Sequence, residues 1–586
     1  MVKFQRILRY LLSLSAGVGL SFAFAPTNLG WLAWFFPAAL LAILWSCPRQ
    51  KGRKGFWQGF RLAFLAGFGF WVRDVWFVGA VSAQGGWISS SALALYLSCF
   101  FGVYGGWAIT IGRPTPIKPR SQPALAILRL SVIHGFLWCG IEWLRGLSNV
   151  SFGWDGLGVS FVDSGLVLAQ AADLVGVNGL SFIPAFGGAV LVQTIMAFHN
   201  EASHGYRRVH WEVIVTMTLL CLTFSYGALQ MKMLRGVEKF PVRSLLVQQN
   251  IPLSLNFSQE KVEVIARSFS NEMQSSCDSI TERVVKDLQE TGEAKISMPD
   301  MVVWPESSFP FANTVDSERK LLPEQRNESF FNHVVRSHGD FLFISGVNEF
   351  PTINEGNGMK WDYSQPFYNS IGFFPEGFES YVGRPKSHLM PFGEYMPLAN
   401  LAFVQKIYES AAGQEFGGAF SQGTKFEPYH TEVKGEFLSI IPSVCYEDSV
   451  SSVVRNYIRP EPQMIVNVTN DGWFAGTNCA EKHFQNARYR AIEYRRPLIR
   501  AANSGMSGVI NIIGTLEHPE TGKPQVIRDV KTGAIEIKGS LEGLVEVPKK
   551  PIQTVYASVG HMFCWVVGLI ALSYTGFIII QNKRAS

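Results

Sequence analysis

Eight long apolar stretches divide this chain and dominate what it can fold into. They lie near Leu8–Ala25, Leu29–Ser46, Phe60–Val81, Ser89–Ile111, Leu125–Trp143, Leu166–Ala197, Val213–Gln230 and Val559–Ile580. Each approaches the ~20 residues with which a helix crosses the hydrocarbon core of a bilayer. Backbone in lipid must satisfy its own hydrogen bonds, so the stretches are expected as helices. Gly and Pro inside the sixth make its limits soft, and only Pro26–Asn28 separates the first two, which fits a tight hairpin. Ala23-Phe24-Ala25 resembles a signal-peptide cleavage site, but Pro26 follows directly and further spans come after, so the first stretch reads as an anchor.

Lysine and arginine alternate between the connecting loops. Lys3, Arg6 and Arg9 begin the chain; Arg49, Lys51, Arg53 and Lys54 follow the second stretch; Arg113, Lys118 and Arg120 follow the fourth. Arg207 and Arg208 follow the sixth, and Lys583 and Arg584 end the chain, whereas the intervening loops hold little beyond Arg145. The positive-inside rule then puts both termini in the cytoplasm and residues 236–555, after seven spans, on the opposite side. The expected organisation is a membrane domain with seven helices over 1–235, an extracytoplasmic globular block over 236–555, and a final helix with a short cytoplasmic tail over 556–586.

Only 17% of residues are charged, against about 25% in an average soluble protein. The net charge of +5 is too small and dispersed to point to nucleic acid. Cys47, Cys99, Cys139, Cys221 and Cys564 lie in or beside the apolar stretches, leaving Cys277, Cys445 and Cys479 in the block. No disulfide framework is expected; at most Cys277 and Cys479 would pair.

Within the block, short apolar runs predict strands at Val242–Gln248, Met301–Trp304, Phe341–Val347, Ile371–Phe374, Leu438–Val444, Met464–Val468, Leu498–Ala502 and Gly508–Ile513. Helices are expected over Gln259–Gln289, Ser317–His338 and Ala480–Tyr494, and loops near Phe350–Pro366 and Ala411–Gly423. The mixture predicts a layered α/β or α+β domain.

Glu306 and Cys445 each come just after a predicted strand, and Lys386 lies in a loop-like segment eight residues before Glu394. Strand ends present side chains from a fixed frame while the following loop leaves access. A cysteine needs a base or a nearby cation to become a thiolate. Glu306 is suited to take the proton, and Lys386 to stabilise a thiolate and a carbonyl oxyanion. Residue types alone leave another reading open, in which Cys445 is an inert core thiol and the two charges are solvated. His333 and His338, five apart, read as surface residues rather than metal ligands, and no phosphate-binding glycine loop or G-x-S-x-G elbow is present. Neither a metal nor a cofactor is expected. Arg73 and Asp74 are adjacent and do not share a helix face, while Glu142 and Arg145 are spaced for a structural i,i+3 pair.

Several motifs occur in the order seen in nitrilase-superfamily enzymes. These are Trp304-Pro305-Glu306-Ser307, Lys386-x-x-Leu389-x-Pro391-Phe392-Gly393-Glu394 and Cys445-Tyr446-Glu447, followed by Asn470-Asp471-Gly472-Trp473-Phe474 and a stretch from His483 to Glu493. With the apolar stretches and Glu142-Trp143-Leu144-Arg145-Gly146, nearly the whole chain resembles the apolipoprotein N-acyltransferase family of bacterial inner-membrane enzymes. The resemblance implies a membrane helical bundle joined to an αββα nitrilase-like domain with a Glu-Lys-Cys triad. Glu306 would be the general base, Lys386 the oxyanion stabiliser and Cys445 the nucleophile, with Glu394, Tyr446 and Glu447 supporting. It further implies transfer of an acyl chain from a phospholipid, through a Cys445 thioester, to the amino group of diacylglyceryl-cysteine in an apolipoprotein, by a monomer with its catalytic domain in the periplasm. A membrane-tethered amidase or thioester hydrolase is the alternative. Leu389, Met390, Leu398, Leu401, Phe403 and Val404 are candidates for guiding acyl chains. Many members carry Lys-Trp shortly after the first strand of the block; here Asn256-Phe257 stands there, and no role is transferred to Phe257.

Overall fold

A computed structural model of the chain describes residues 2–50, 52–81, 86–114, 124–147, 152–205, 207–252, 259–291, 297–309, 313–322, 325–354, 359–362, 364–391, 393–397, 401–412 and 420–584. The chain forms two compact units. One comprises Met1–Arg235, Leu401–Glu415 and Thr554–Ser586, the other Gly236–Asn400 and Phe416–Gln553.

The first unit is helical: α1 (Val2–Ser21), α2 (Trp31–Trp45), α3 (Gly52–Asp74), α4 (Gly86–Thr110), α5 (Ala124–Leu147), α6 (Phe182–His204), α7 (Trp211–Arg235) and a C-terminal helix, Met562–Arg584. Among the described residues, five helices are long and apolar enough to cross a membrane, namely α4, α5, α6, α7 and the C-terminal one; α2 is apolar but shorter. In α7 and the C-terminal helix only 17% of the apolar window is buried within the protein. Apolar surface on that scale marks a face that meets lipid or another protein.

The sixth stretch is not one helix from Leu166. It runs as short helices, Leu166–Ala169 and Ala172–Leu180, before α6 begins at Phe182. Gly176 breaks the second of them internally, between Val175 and Val177. Its φ is +71°, and a Cβ there would stand 2.4 Å from the Tyr556 ring, so both the conformation and the space call for glycine. The third stretch likewise ends α3 at Asp74 and continues as a 3₁₀ turn, Trp76–Val81. Glu142 and Arg145 each take partners of their own. Glu142 accepts from Trp138 Nε1 at 2.6 Å and Leu157 N at 3.0 Å, and Arg145 donates to the Trp154 carbonyl at 2.7 Å. Arg73 donates to Ser21 Oγ at 3.0 Å.

The second unit is built on two sheets. Its strands are β1 (Lys239–Gln248), β2 (Met301–Val303), β3 (Asn313–Val315), β4 (Leu342–Asn354), β5 (Met359–Trp361), β6 (Tyr368–Phe374), β7 (Val382–Pro385), β8 (Tyr429–Val433), β9 (Glu436–Val444), β10 (Gln463–Thr469), β11 (Leu498–Ala502), β12 (Gly508–Ile510) and β13 (Gly539–Pro548). One sheet runs β13-β1-β2-β4-β6-β7, with β3 and β5 also paired to β4; the other runs β12-β11-β10-β9-β8. The interiors β1-β2-β4 and β9-β10-β11 are parallel.

Period-two alternation sorts the side chains. Val242 and Leu246 of β1, Val303, Ile344 and Phe373 meet Leu438, Ile440, Val444, Val466 and Val468 of the other sheet in one core. Phe373 stacks on Tyr429 across the gap, with ring centroids 4.3 Å apart. On the outer face of the first sheet, Leu245, Val247, Val302 and Phe343 pack with Phe269, Met273 and Cys277 of α8 (Gln259–Thr291). Helix α9 (Cys479–Tyr494) is buried along nearly its whole length. Cys277 and Cys479 are buried free thiols. The segment expected as a loop from Phe350 begins as the end of β4, which forms a hairpin with β5. The expected helix Ser317–His338 is helical only from Gln325, continuing as a π turn and a 3₁₀ turn to His338. Most of Ala411–Gly423, together with Phe257 and Leu398, lies outside the described residues.

Candidate active site

β2 ends at Val303, and Trp304-Pro305 carries the chain to Glu306. Trp304 is buried and stacked on Phe269, with centroids 4.1 Å apart, while its backbone N–H donates to the Ile344 carbonyl at 2.8 Å. The turn then lies flat on β4, where a Cβ at Gly346 would stand 2.4 Å from Glu306 Cα. Glycine at 346 is therefore what lets Glu306 come this close to the sheet.

Lys386 follows β7 directly. Its backbone N–H donates to the Asn369 carbonyl at 2.8 Å, and its side chain is 1% exposed. Nζ lies 2.8 Å from Glu394 Oε2 and 4.0 Å from Glu306 Oε1. Burial alone disfavours the ammonium, but Glu394, Cys445 and Glu306 together hold it above the usual lysine range. For Glu394, burial is outweighed by Lys386 and by hydrogen bonds from Met390 N and Asn369, which keep it below the usual carboxylate range.

Cys445 begins the 3₁₀ turn after β9 with a φ of +51°. A non-glycine residue in that region carries strain that the surroundings must impose. Glu447 imposes it. Its Oε2 accepts from Val444 N at 2.8 Å, and its Oε1 from Ser387 N at 2.6 Å, Ser387 Oγ at 2.8 Å and His388 N at 2.9 Å. One buried carboxylate thus pins the cysteine turn to the segment after Lys386. Asn467 Nδ2 holds the Cys445 carbonyl at 3.0 Å, and Tyr446 stacks on His388 with centroids 6.0 Å apart.

The Cys445 thiol and the Glu306 carboxylate lie close enough for each to shift the proton affinity of the other. Burial first, then the Glu306 and Asp471 charges, push the thiol above its usual range against the pull of Lys386. Burial first, and the Glu394 charge with it, also raises Glu306, against the Lys386 charge and the Asn369 hydrogen bond. Burial and the Glu306 charge thus favour the protonated thiol at rest. A protonated thiol resists oxidation, because the thiolate is the reactive form.

Glu306, Lys386, Cys445, Glu394 and Glu447 are thus brought together, and Tyr446 flanks them. Leu389 and Met390 are half-buried in the loop after Lys386, while Leu401 and Phe403 are exposed on a segment of the helical unit. Sequence reasoning missed Asn369. Its single amide nitrogen donates to Glu306 Oε1 at 2.7 Å and Glu394 Oε1 at 2.9 Å, tying both carboxylates together. A polar pair, Asn369-Ser370, inside the apolar run of β6 was the available signal. It also missed a buried cluster beyond Cys445, where His483 lies 2.8 Å from both Asp448 and Asp471, and Arg500 pairs with both.

Residues 16–190 match the family described as Apolipoprotein N-acyltransferase N-terminal domain, and residues 243–525 match Carbon-nitrogen hydrolase. An apolipoprotein N-acyltransferase of Geobacter metallireducens is 29% identical over 514 residues, covering 86% of this chain and 85% of that protein. One from Rhodopseudomonas palustris is 27% identical over 606 residues, covering 98% and 95%. Among solved structures, an amidase of the nitrilase superfamily from Nesterenkonia is 15% identical, covering 54% of this chain and 93% of that one with a TM-score of 0.27. A helical first unit, two sheets with parallel interiors, and matches to both domain families over most of the chain lead to one assignment: the chain belongs to the apolipoprotein N-acyltransferase family, an acyltransferase lineage whose second domain has the nitrilase-like carbon–nitrogen hydrolase fold.

Proposed function

We propose that this acyltransferase N-acylates lipoproteins in two half-reactions at Cys445. In the first, Glu306 takes the thiol proton as sulfur attacks the ester carbonyl of a membrane phospholipid. The carbonyl oxygen gains negative charge beside the Lys386 ammonium. The ester C–O bond then breaks, the proton passes from Glu306 to the leaving alkoxide, and a lysophospholipid departs from a Cys445 thioester. In the second, the free amine of diacylglyceryl-cysteine attacks the thioester carbonyl. Glu306 accepts a proton from the amine, the C–S bond breaks to give an amide, and the thiol is restored.

The observation that supports this reading is the buried Lys386 ammonium, 4.0 Å from Glu306 and 2.8 Å from Glu394, in the segment that the Glu447 carboxylate ties to the Cys445 turn. Glu394 keeps Lys386 charged and placed, Glu447 fixes the turn, and Tyr446 buttresses it through His388. The wider reading is of a bacterial inner-membrane monomer with eight spans. Residues 236–555 lie in the periplasm between the seventh and eighth, with both termini in the cytoplasm, as the Lys and Arg pattern supports.

Intact-protein mass spectrometry after incubation with phospholipid tests it. The wild type is expected to gain an acyl mass that hydroxylamine removes, and Cys445→Ala to gain none. Adding a diacylated lipopeptide should discharge the adduct into an N-acyl product. Release of free fatty acid without that product would identify a hydrolase instead.

A further inference from the structure

We infer that a basic cavity in the helical unit binds the phosphate-bearing headgroup of an acidic phospholipid, separately from the chemistry at Cys445. The cavity, of ≈ 960 Å³, is lined by Arg6, Arg9, Arg53, Lys54 and Arg61, with Trp57 and Tyr10 on its wall and no acidic side chain. The surrounding sequence offers little neutralisation, since residues 1–80 contain nine Lys and Arg against one acidic residue, Asp74.

Arg9 has a structural occupation. It donates from Nε to Ser46 Oγ and from Nη2 to the Ser46 carbonyl, both at 3.1 Å, at the C-terminal end of α2 where a cation suits the helix dipole. Arg53 and Lys54 stand the opposite way round. They occupy the first turn of α3, whose N-terminal dipole end is already positive. Like charges gathered at a positive helix end are destabilising unless an anion sits among them, and the same N–H groups and guanidinium forks make that place a phosphate receptor.

A second cavity, of ≈ 390 Å³, favours a lipid over a soluble phosphate. It shares Tyr10 and Arg61 with the first and is otherwise lined by Phe60, Phe64 and Leu65. A free phosphate would leave that apolar space unused, whereas a phospholipid fills it with acyl chain while its headgroup meets the cations. Basic pockets between membrane helices, edged by tryptophan and tyrosine, have the chemistry that acidic headgroups require.

The test uses full-length protein in a non-ionic detergent, with bound lipid read by native mass spectrometry and by thermal shift. Phosphatidylglycerol is expected to be retained and to raise the melting temperature, and phosphatidylcholine to do neither. The variant Arg6→Gln/Arg53→Gln/Lys54→Gln should retain phosphatidylglycerol at least about tenfold more weakly while still N-acylating lipopeptide. Should that variant misfold, Arg61→Gln, at an exposed position, should weaken retention by about fivefold. Unchanged retention by the folded variant, or equal retention of the two lipids by the wild type, would overturn the site. Full displacement of the lipid by millimolar inorganic phosphate would overturn the lipid and leave a soluble anion as the ligand.

Discussion

In the proposed mechanism Glu306 carries two opposed electrostatic duties, and separating them gives a test at the scale of one residue. As a base it must accept the Cys445 proton; as a negative charge it keeps that proton on sulfur by raising the thiol. Glu306→Gln removes both. With Lys386 then less opposed, the Cys445 pKa falls and the thiolate fraction grows. Alkylation of Cys445 by neutral iodoacetamide at pH 8 is therefore expected to be faster in Glu306→Gln than in the wild type, while acyl transfer falls by about 10²–10⁴-fold. Slower alkylation would show that Glu306 activates the resting thiol and does not restrain it. Asn369 gives the complementary test. Burial raises Glu306, and the Asn369 amide opposes that rise. Asn369→Leu takes the donor away, so the carboxylate is protonated at higher pH than in the wild type. Because the base must be ionised, the acidic limb of the kcat/KM profile should move to higher pH, with kcat/KM at neutral pH reduced by roughly tenfold or more. An unmoved limb would mean that Asn369 only fills space.

At the scale of elements, the proposed catalytic groups hang from three strand ends that the Glu447 carboxylate and the Asn369 amide stitch together. Glu447→Ala leaves three backbone N–H groups and the Ser387 hydroxyl without their acceptor. Each lost hydrogen bond to a buried charge costs about 1.5–3 kcal/mol. The expected outcome is a clear fall in the melting temperature, near-complete loss of thioester formation, and proteolytic cleavage near Ser387–Met390 under conditions that spare the wild type. Glu447→Gln keeps one acceptor oxygen and should recover stability better than activity, since the positive φ at Cys445 needs both carboxylate oxygens.

This stitching also marks how far the sequence could be read. Glu306, Lys386 and Cys445 were legible because each sits in a compact string beside a strand-like run, and the interior strands β1, β9, β10 and β11 showed as short runs in which apolar residues predominate. Asn369 was hidden because a polar residue in a buried strand declares nothing until its partners arrive from β2 and the segment after Lys386. β13 escaped for a related reason: its ten residues pair in full register with β1, a partner from the opposite end of the unit that no local pattern names. The Asp448–His483–Asp471–Arg500 cluster was divided among four separate segments, and although Asp471 and His483 stand in recognisable motifs, nothing local shows that the four meet.

For the whole molecule, orientation follows from charge placement and from which surfaces are apolar. α7 and the C-terminal helix bury little of their apolar windows, and Lys232 and Arg235 close α7 on the side where the globular unit begins. These two cations run against the positive-inside pattern that places residues 236–555 outside, while Arg207, Arg208, Lys583 and Arg584 agree with it. Loop charge within reach of the span ends sets topology, with the early loops usually dominant. The seven Lys and Arg of the N-terminal segment and the loop after the second span, Lys3, Arg6, Arg9, Arg49, Lys51, Arg53 and Lys54, should therefore decide it. Val530, 99% exposed in the globular unit, and Arg584 in the tail report the two sides. Val530→Cys is expected to gain labelling over the wild type when intact spheroplasts meet a membrane-impermeant maleimide. Arg584→Cys should gain it only after the membrane is permeabilised. The reverse pattern would place the thioester chemistry in the cytoplasm, where a periplasmic lipoprotein amine cannot reach it, and would end the lipoprotein reading at the level of the molecule even with every residue at the site correctly assigned.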